Sequence, residues 1–152
     1  MTGPAGPSSV SVVRAAIASV LRANGIARVY EFPNAGLTPP AAEVALDLLT
    51  YDAVMRGGGD RLLFIVRLYI GRADDRSAVL DLDQYLSSVP AAINDDPTLL
   101  AACHTARVVE ARSYGAYQVG EATLLGVEFL IDVVAKQLDL LDGAVAWFDA
   151  SS

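Results

Sequence analysis

Apolar and polar positions along the chain alternate with two different periods, and the period sets the element. Val10, Val13, Ile17, Val20 and Leu21 recur at helical spacing, with Arg14 and Arg22 on the other side. Ser8 or Ser9 can cap this helix, and Asn24-Gly25 supplies its stop. Ile26 to Phe32 reads as a short strand. Pro33 to Pro40, PNAGLTPP, is too rich in proline for regular structure.

Glu43 to Met55 reads as a long strand whose alternation fails at Leu48-Leu49-Thr50, so a bulge or bend is expected there. Arg56-Gly57-Gly58-Gly59-Asp60 then reads as a hairpin connection. The next strand, Leu62 to Ile70, carries Leu62, Phe64, Val66, Leu68 and Ile70 on one face. Leu63, Ile65, Arg67 and Tyr69 lie on the other. A strand apolar on nearly both faces belongs in the middle of its sheet.

A second helix is predicted from about Arg76 to Ser88, capped by Asp74 or Asp75 and ended by Pro90. Its stripe is Val79, Leu82, Leu86 and Val89, with Tyr85 beside it. Short turns follow over Ala91 to Asn94 and Pro97 to Ala102. Ala106 to Ala116 alternates weakly, and Val119-Gly120-Glu121 is a turn. Leu125, Val127, Phe129, Ile131 and Val133 give a final strand one apolar face, with Glu128 and Asp132 on the wetter one.

The predicted fold is α+β, in the order α-β-β-β-α-β-β. A mostly antiparallel sheet of about five strands carries two main helices on one face. Residues 1–9 are expected to form a disordered tail and 10–136 the folded domain. Residues 137–152 are expected to be either a short helix packed on their own domain or an arm docking on a neighbouring subunit. Trp147 and Phe148 would anchor that arm.

Composition narrows the function. Of the 152 residues 53% are hydrophobic, yet no window approaches the roughly 18 to 20 uninterrupted apolar residues of a membrane span. That surface is covered either by the chain's own core or by other copies. The net charge is −7 and the basic residues are scattered, which argues against gripping nucleic acid. The N-terminus has neither a basic leader nor an apolar segment, so a cytoplasmic site of synthesis is expected.

Candidate chemistry is sparse. Cys103 has no second cysteine for an intrachain disulfide, and His104 is the only histidine. No cofactor, metal or catalytic group is therefore assigned. Asp74-Asp75 and Asp95-Asp96 suit helix and turn capping. Asp81 and Asp83 diverge by about 200° on a helix rather than converging on one ion. Gly57-Gly58-Gly59 joins two strands, unlike a phosphate cradle, which opens a helix. Arg72, Asp74, Asp75 and Arg76 form a mixed-sign corner between strand and helix. It is either local capping with solvated arginines or a salt-bridging contact between subunits.

At this corner the chain resembles a known family. IGRADDRSAVLDLDQYL (Ile70–Leu86), NDDPTL (Asn94–Leu99), ARVVEARSYGAY (Ala106–Tyr117) and LLGVEFLIDV (Leu124–Val133) occur in the order found in tail terminator proteins, and an N-terminal helix like Val10–Ala23 and a proline-bearing segment like Gly36–Pro40 fit them too. These proteins, also called tail completion proteins, belong to long-tailed bacteriophages. The likeness is greatest to the minor tail proteins of phages of actinobacteria, and a composition with Lys136 as its only lysine agrees with a GC-rich host.

The resemblance implies a non-enzymatic virion protein, assembled in the host cytoplasm into a hexameric ring. The ring sits at the head-proximal end of the tail tube, stops its polymerisation and offers the head-joining surface. Its partners would be its own copies, the major tail tube protein and the head–tail connector proteins, with viral DNA passing through unbound. Lumen-facing residues are then expected to be acidic or neutral. Arg56 to Asp60 and the corner Arg72 to Arg76 are the candidate contacts. The alternatives are another neck component, such as a connector or stopper, and more distantly a small enzyme.

Overall fold

A computed structural model of the chain describes residues 9–32, 36–51 and 60–135. Helix α1 (Ser9–Ala23) is followed by strands β1 (Arg28–Tyr30), β2 (Ala41–Thr50) and β3 (Asp60–Arg72). Helix α2 (Arg76–Asp95) and strands β4 (Thr105–Val119) and β5 (Ala122–Ala135) complete the order α-β-β-β-α-β-β. The sheet runs β1-β2-β3-β5-β4, with only β1 and β2 parallel.

The central strand is β3, as its two-faced pattern predicts. Leu62, Phe64, Val66, Leu68 and Ile70 join Leu125, Val127, Phe129, Ile131 and Val133 of β5 in one core. Phe64 stands opposite Ile131, and Phe129 opposite Val66; all four are fully or almost fully buried. Each such side chain contributes roughly 1.5–3 kcal/mol. Val13, Ile17 and Leu21 of α1 and Leu82, Val89 and Ile93 of α2 close the core from the same side. Both helices therefore cover one face, α1 over β1 and β2 and α2 over β3, β5 and β4.

Helix α1 stops where glycine permits it. Gly25 has φ +97°, and the Ile26 N–H returns to the Leu21 carbonyl. Arg22 is not merely solvated, since its Nη2 donates to the Val29 carbonyl of β1 at 2.9 Å.

Four expectations need correction. Pro90 does not end α2, which continues to Asp95. Proline leaves the Leu86 carbonyl without its N–H donor, at a cost of about 3 kcal/mol. Val89 and Ile93, both fully buried on either side of it, offset that cost by holding the last turn against the core. Ala91 to Asn94 is accordingly helix. The first strand is only three residues long, and β2 begins two residues earlier than expected. The irregularity in β2 falls between Leu46 and Leu48, just before the expected place.

The connection from α2 to β4 is tighter than a simple turn. Leu99, Leu100 and Ala101 have φ values of 47°, 59° and 67°. Three consecutive non-glycine residues in the left-handed region cost about 1–2 kcal/mol each. The turn is held by buried Leu99 and by Asp96, whose Oδ2 accepts the Leu100 N–H at 3.0 Å. The Cys103 N–H also bonds the Thr98 carbonyl.

Candidate functional site

The corner after β3 is built as the sequence implies. The Asp75 carboxylate caps α2, its Oδ1 accepting from the Ser77 N–H and hydroxyl at 2.9 Å each. The Asp75 N–H bonds the Arg72 carbonyl, and the Ala73 N–H bonds the Thr123 carbonyl, which fastens the corner to β5. Arg72 Nη2 meets Asp74 Oδ2 at 3.2 Å, but both side chains are more than 70% exposed. An ion pair so exposed contributes at most about 1 kcal/mol. Arg72, Asp74 and Arg76 therefore face solvent, while Asp75 is used internally. Arg72 and Asp74 line one side of a shallow depression of about 550 Å³, and Glu121 and Thr123 of the β4–β5 hairpin line the other.

Of the second candidate contact, Asp60 alone is among the described residues. Arg56, Gly57, Gly58 and Gly59 lie outside the described residues, as do Trp147 and Phe148. Asp60 is described, and it does not project. It opens β3 opposite Ala135 and is 1% exposed, so its side chain is not offered to a partner. From Asp60 to Arg72, β3 spans about 40 Å at the usual rise per residue. Asp60 and the corner at Arg72 thus stand at opposite ends of β3.

The sheet face away from the helices carries a network that the sequence reading missed. Glu43, Arg67, Glu128 and Arg112 stand in one register row across β2, β3, β5 and β4, with signs alternating. Glu128 Oε2 accepts from Arg67 Nε at 2.9 Å and Nη2 at 2.7 Å, and its Oε1 accepts from Arg112 Nε at 3.3 Å. Burial alone would raise the Glu128 carboxyl, but the bonds from Arg67 and Arg112 outweigh it and lower its pKa. Arg67 is the mirror case: burial disfavours its charge, yet hydrogen bonding to Glu128 raises its pKa. Arg61 Nε pairs with Asp132 Oδ1 at 3.1 Å further along the same face.

Beside this row, Tyr69 donates to Glu43 Oε1 at 3.2 Å and packs edge-on against Tyr117, with ring centres 5.6 Å apart. Burial, then the Glu43 charge, push the Tyr69 phenol up to about 12. Gly126 makes the contact possible. A Cβ there would lie 2.7 Å from the Leu68 carbonyl oxygen and 3.0 Å from the Tyr117 ring. The sequence signal was present: Arg67 and Glu128 interrupt the two most apolar strands at positions facing away from the helices.

The remaining titratable groups are dispersed. Asp83 Oδ1 accepts the Tyr114 hydroxyl at 3.1 Å, and Asp81 lines a different depression near Asn24 and Ser88. Cys103 is buried, its thiol pushed up to about 11 by burial and then by Asp96, while His104 is exposed. Among the described residues, no three His, Cys, Asp or Glu side chains come together as metal ligands, and no helix is long and apolar enough to cross a membrane. No protein-family model matches the chain, and no curated protein matches it.

Proposed function

We propose that this chain is a structural virion protein that forms a ring at the head-proximal end of a phage tail tube, ends tube growth and offers the head-joining surface. The observation that carries the reading is where the resembling stretches fall. Ile70–Leu86 covers the end of β3, the corner and most of α2, and Asn94–Leu99 covers the end of α2 and the turn after it. Ala106–Tyr117 is β4 and Leu124–Val133 is β5. These four stretches form one contiguous block, β3-β5-β4 beneath α2, and the helix that also fits the resemblance, Val10–Ala23, is α1 on the same face of the sheet.

The two sheet edges also suit head-to-tail assembly. One is the three-residue β1, with Arg22 on its Val29 carbonyl, and the other is the fifteen-residue β4. A ring is a heterologous assembly, in which unlike patches meet around an axis. The ring's partners are its own copies, hexameric in the family, then the tail tube protein on one side and the head–tail connector on the other. DNA traverses it without specific binding. The ring is assembled in the host cytoplasm and carried in the virion.

The test is tube polymerisation. The tube protein encoded by the same genome is assembled with and without this chain and imaged. Shortened tubes bearing a ring at one end are expected; tubes of undiminished length with bare ends would sink the reading. A ring located below the portal but clear of the tube in imaged virions would point to a connector or stopper instead.

A further inference from the structure

The side of α2 that faces α1 is polar. Asp81, Gln84, Tyr85 and Ser88 stand at i, i+3, i+4 and i+7, which places them on one face over two turns. The buried face of the same helix is Ala78, Leu82, Val89 and Ile93. Polar residues of an amphipathic helix ordinarily point to solvent, away from other elements. Here they wall a depression of about 430 Å³, together with Asn24 at the end of α1 and Ile70 of β3. Ile70 is buried in the core, Asn24, Tyr85 and Ser88 are half-buried, and Asp81 and Gln84 form an exposed rim.

Helix α1 satisfies little of this face. Asn24 Nδ2 donates to Ser88 Oγ at 3.3 Å, which leaves Asn24 Oδ1 as an acceptor. The backbone fixes Asn24 as well, since its N–H bonds the Val20 and Leu21 carbonyls. Among the described residues the Asp81 carboxylate, the Gln84 carboxamide and the Tyr85 hydroxyl have no hydrogen-bond or ion-pair partner in the protein. Asp81 is the only charged residue in the lining. The depression is therefore negative, rich in acceptors and unfilled by the fold's own bonds.

These groups define a ligand by complementarity. A carboxylate takes a planar fork of N–H donors two at a time, and the amide carbonyls of Asn24 and Gln84 accept further donors. The Tyr85 ring supplies an aromatic surface for a delocalised cation, and Ile70 suits an aliphatic stem. A divalent metal ion fits poorly, because a single carboxylate falls far short of its oxygen ligand set. The volume lies within the range of small-molecule sites, about 300–1,000 Å³.

We propose that this depression binds an alkylguanidinium group. The planar cation pairs with Asp81 and reaches the carbonyls of Asn24 and Gln84, while its stem lies along Tyr85 and Ile70. The same contacts serve a free small molecule or an arginine side chain of another polypeptide. The site stands independently of the ring reading, since it needs only the seam between α1 and α2.

The test is calorimetric titration of the full chain with n-butylguanidinium, and saturable binding is expected. Asp81→Asn keeps the shape and removes the charge at an exposed position, and should weaken binding about tenfold. Asp83→Asn is the control. Its carboxylate lies on the same helix but accepts the Tyr114 hydroxyl and does not line the depression, so affinity should stay within about twofold. Circular dichroism confirms that both variants fold. n-Butylurea, planar but uncharged, should not bind where the guanidinium saturates. A second titration with a capped Gly-Arg-Gly peptide separates the sources. Binding as tight as that of n-butylguanidinium assigns the site to an arginine of a polypeptide, and much weaker binding assigns it to a free small molecule. The absence of saturable binding would overturn the site, as would an affinity unchanged by Asp81→Asn or lowered equally by Asp83→Asn.

Discussion

Arg67 and Glu128 face each other across β3 and β5, and a single oxygen, Glu128 Oε2, takes both the Nε and Nη2 protons of Arg67. Arg112 holds the other oxygen from the far side. The carboxylate is largely buried, and the hydrogen bonds from both cations favour its charged form against that burial.

Glu128→Gln keeps the shape and removes the charge. It should cost about 1–2 kcal/mol in chemical denaturation, between the range for an exposed pair and that for a hydrogen bond to a charged group. Because the native pKa of Glu128 is lowered, its contribution is complete above the ordinary glutamate value and disappears as pH falls through the native value. The wild-type midpoint temperature should therefore fall more steeply with acidification than that of the variant. Parallel profiles would show that the pair is energetically silent.

Gly126→Ala tests the packing beneath Tyr117. The added methyl meets the Leu68 carbonyl at 2.7 Å, and carbonyl oxygen in a central strand cannot yield cheaply. A loss of about 2–3 kcal/mol is expected. Gly115→Ala on the neighbouring strand meets nothing within 4 Å and serves as the control, with a change within about 0.5 kcal/mol.

Tyr69 should ionise late. In an alkaline absorbance titration of the six tyrosines, one phenol is expected near its native value of about 12, and Tyr69→Phe should delete that step. The sign follows from the raised pKa. Stability from the neutral phenol is complete below the unfolded value of about 10 and is lost as pH rises through the native one.

Pro90→Ala restores the donor for the Leu86 carbonyl while keeping Val89 and Ile93 in place. The variant should be more stable by about 1 kcal/mol or more, seen as a higher thermal midpoint. A lower midpoint would mean that the ring of Pro90 packs better than the missing bond costs.

These cases separate what the sequence makes legible from what it hides. The apolar faces of β3 and β5 can be read directly, since burial on a strand repeats every second residue. The Arg72–Arg76 corner is likewise legible, because Asp75 and Ser77 meet through neighbouring backbone. Pro90 misleads because a local rule loses to two buried side chains flanking it. The row Glu43-Arg67-Glu128-Arg112 is hidden because its members are matched only by strand register. That register is shifted by irregularities at Leu46/Leu48, Val108/Glu110 and Arg112/Gly115, which local periodicity does not specify. Tyr117 above Gly126 is hidden for the same reason.

The row has one more consequence. Its four charges, two of each sign in strict alternation, sum to zero across four of the five strands. The potential of such an arrangement decays far faster with distance than that of a lone charge, and salt shortens its reach further. A large polyanion passing this row would feel little net attraction or repulsion from it beyond about 8 to 10 Å in physiological salt: the row is electrically quiet, although it is built from ions.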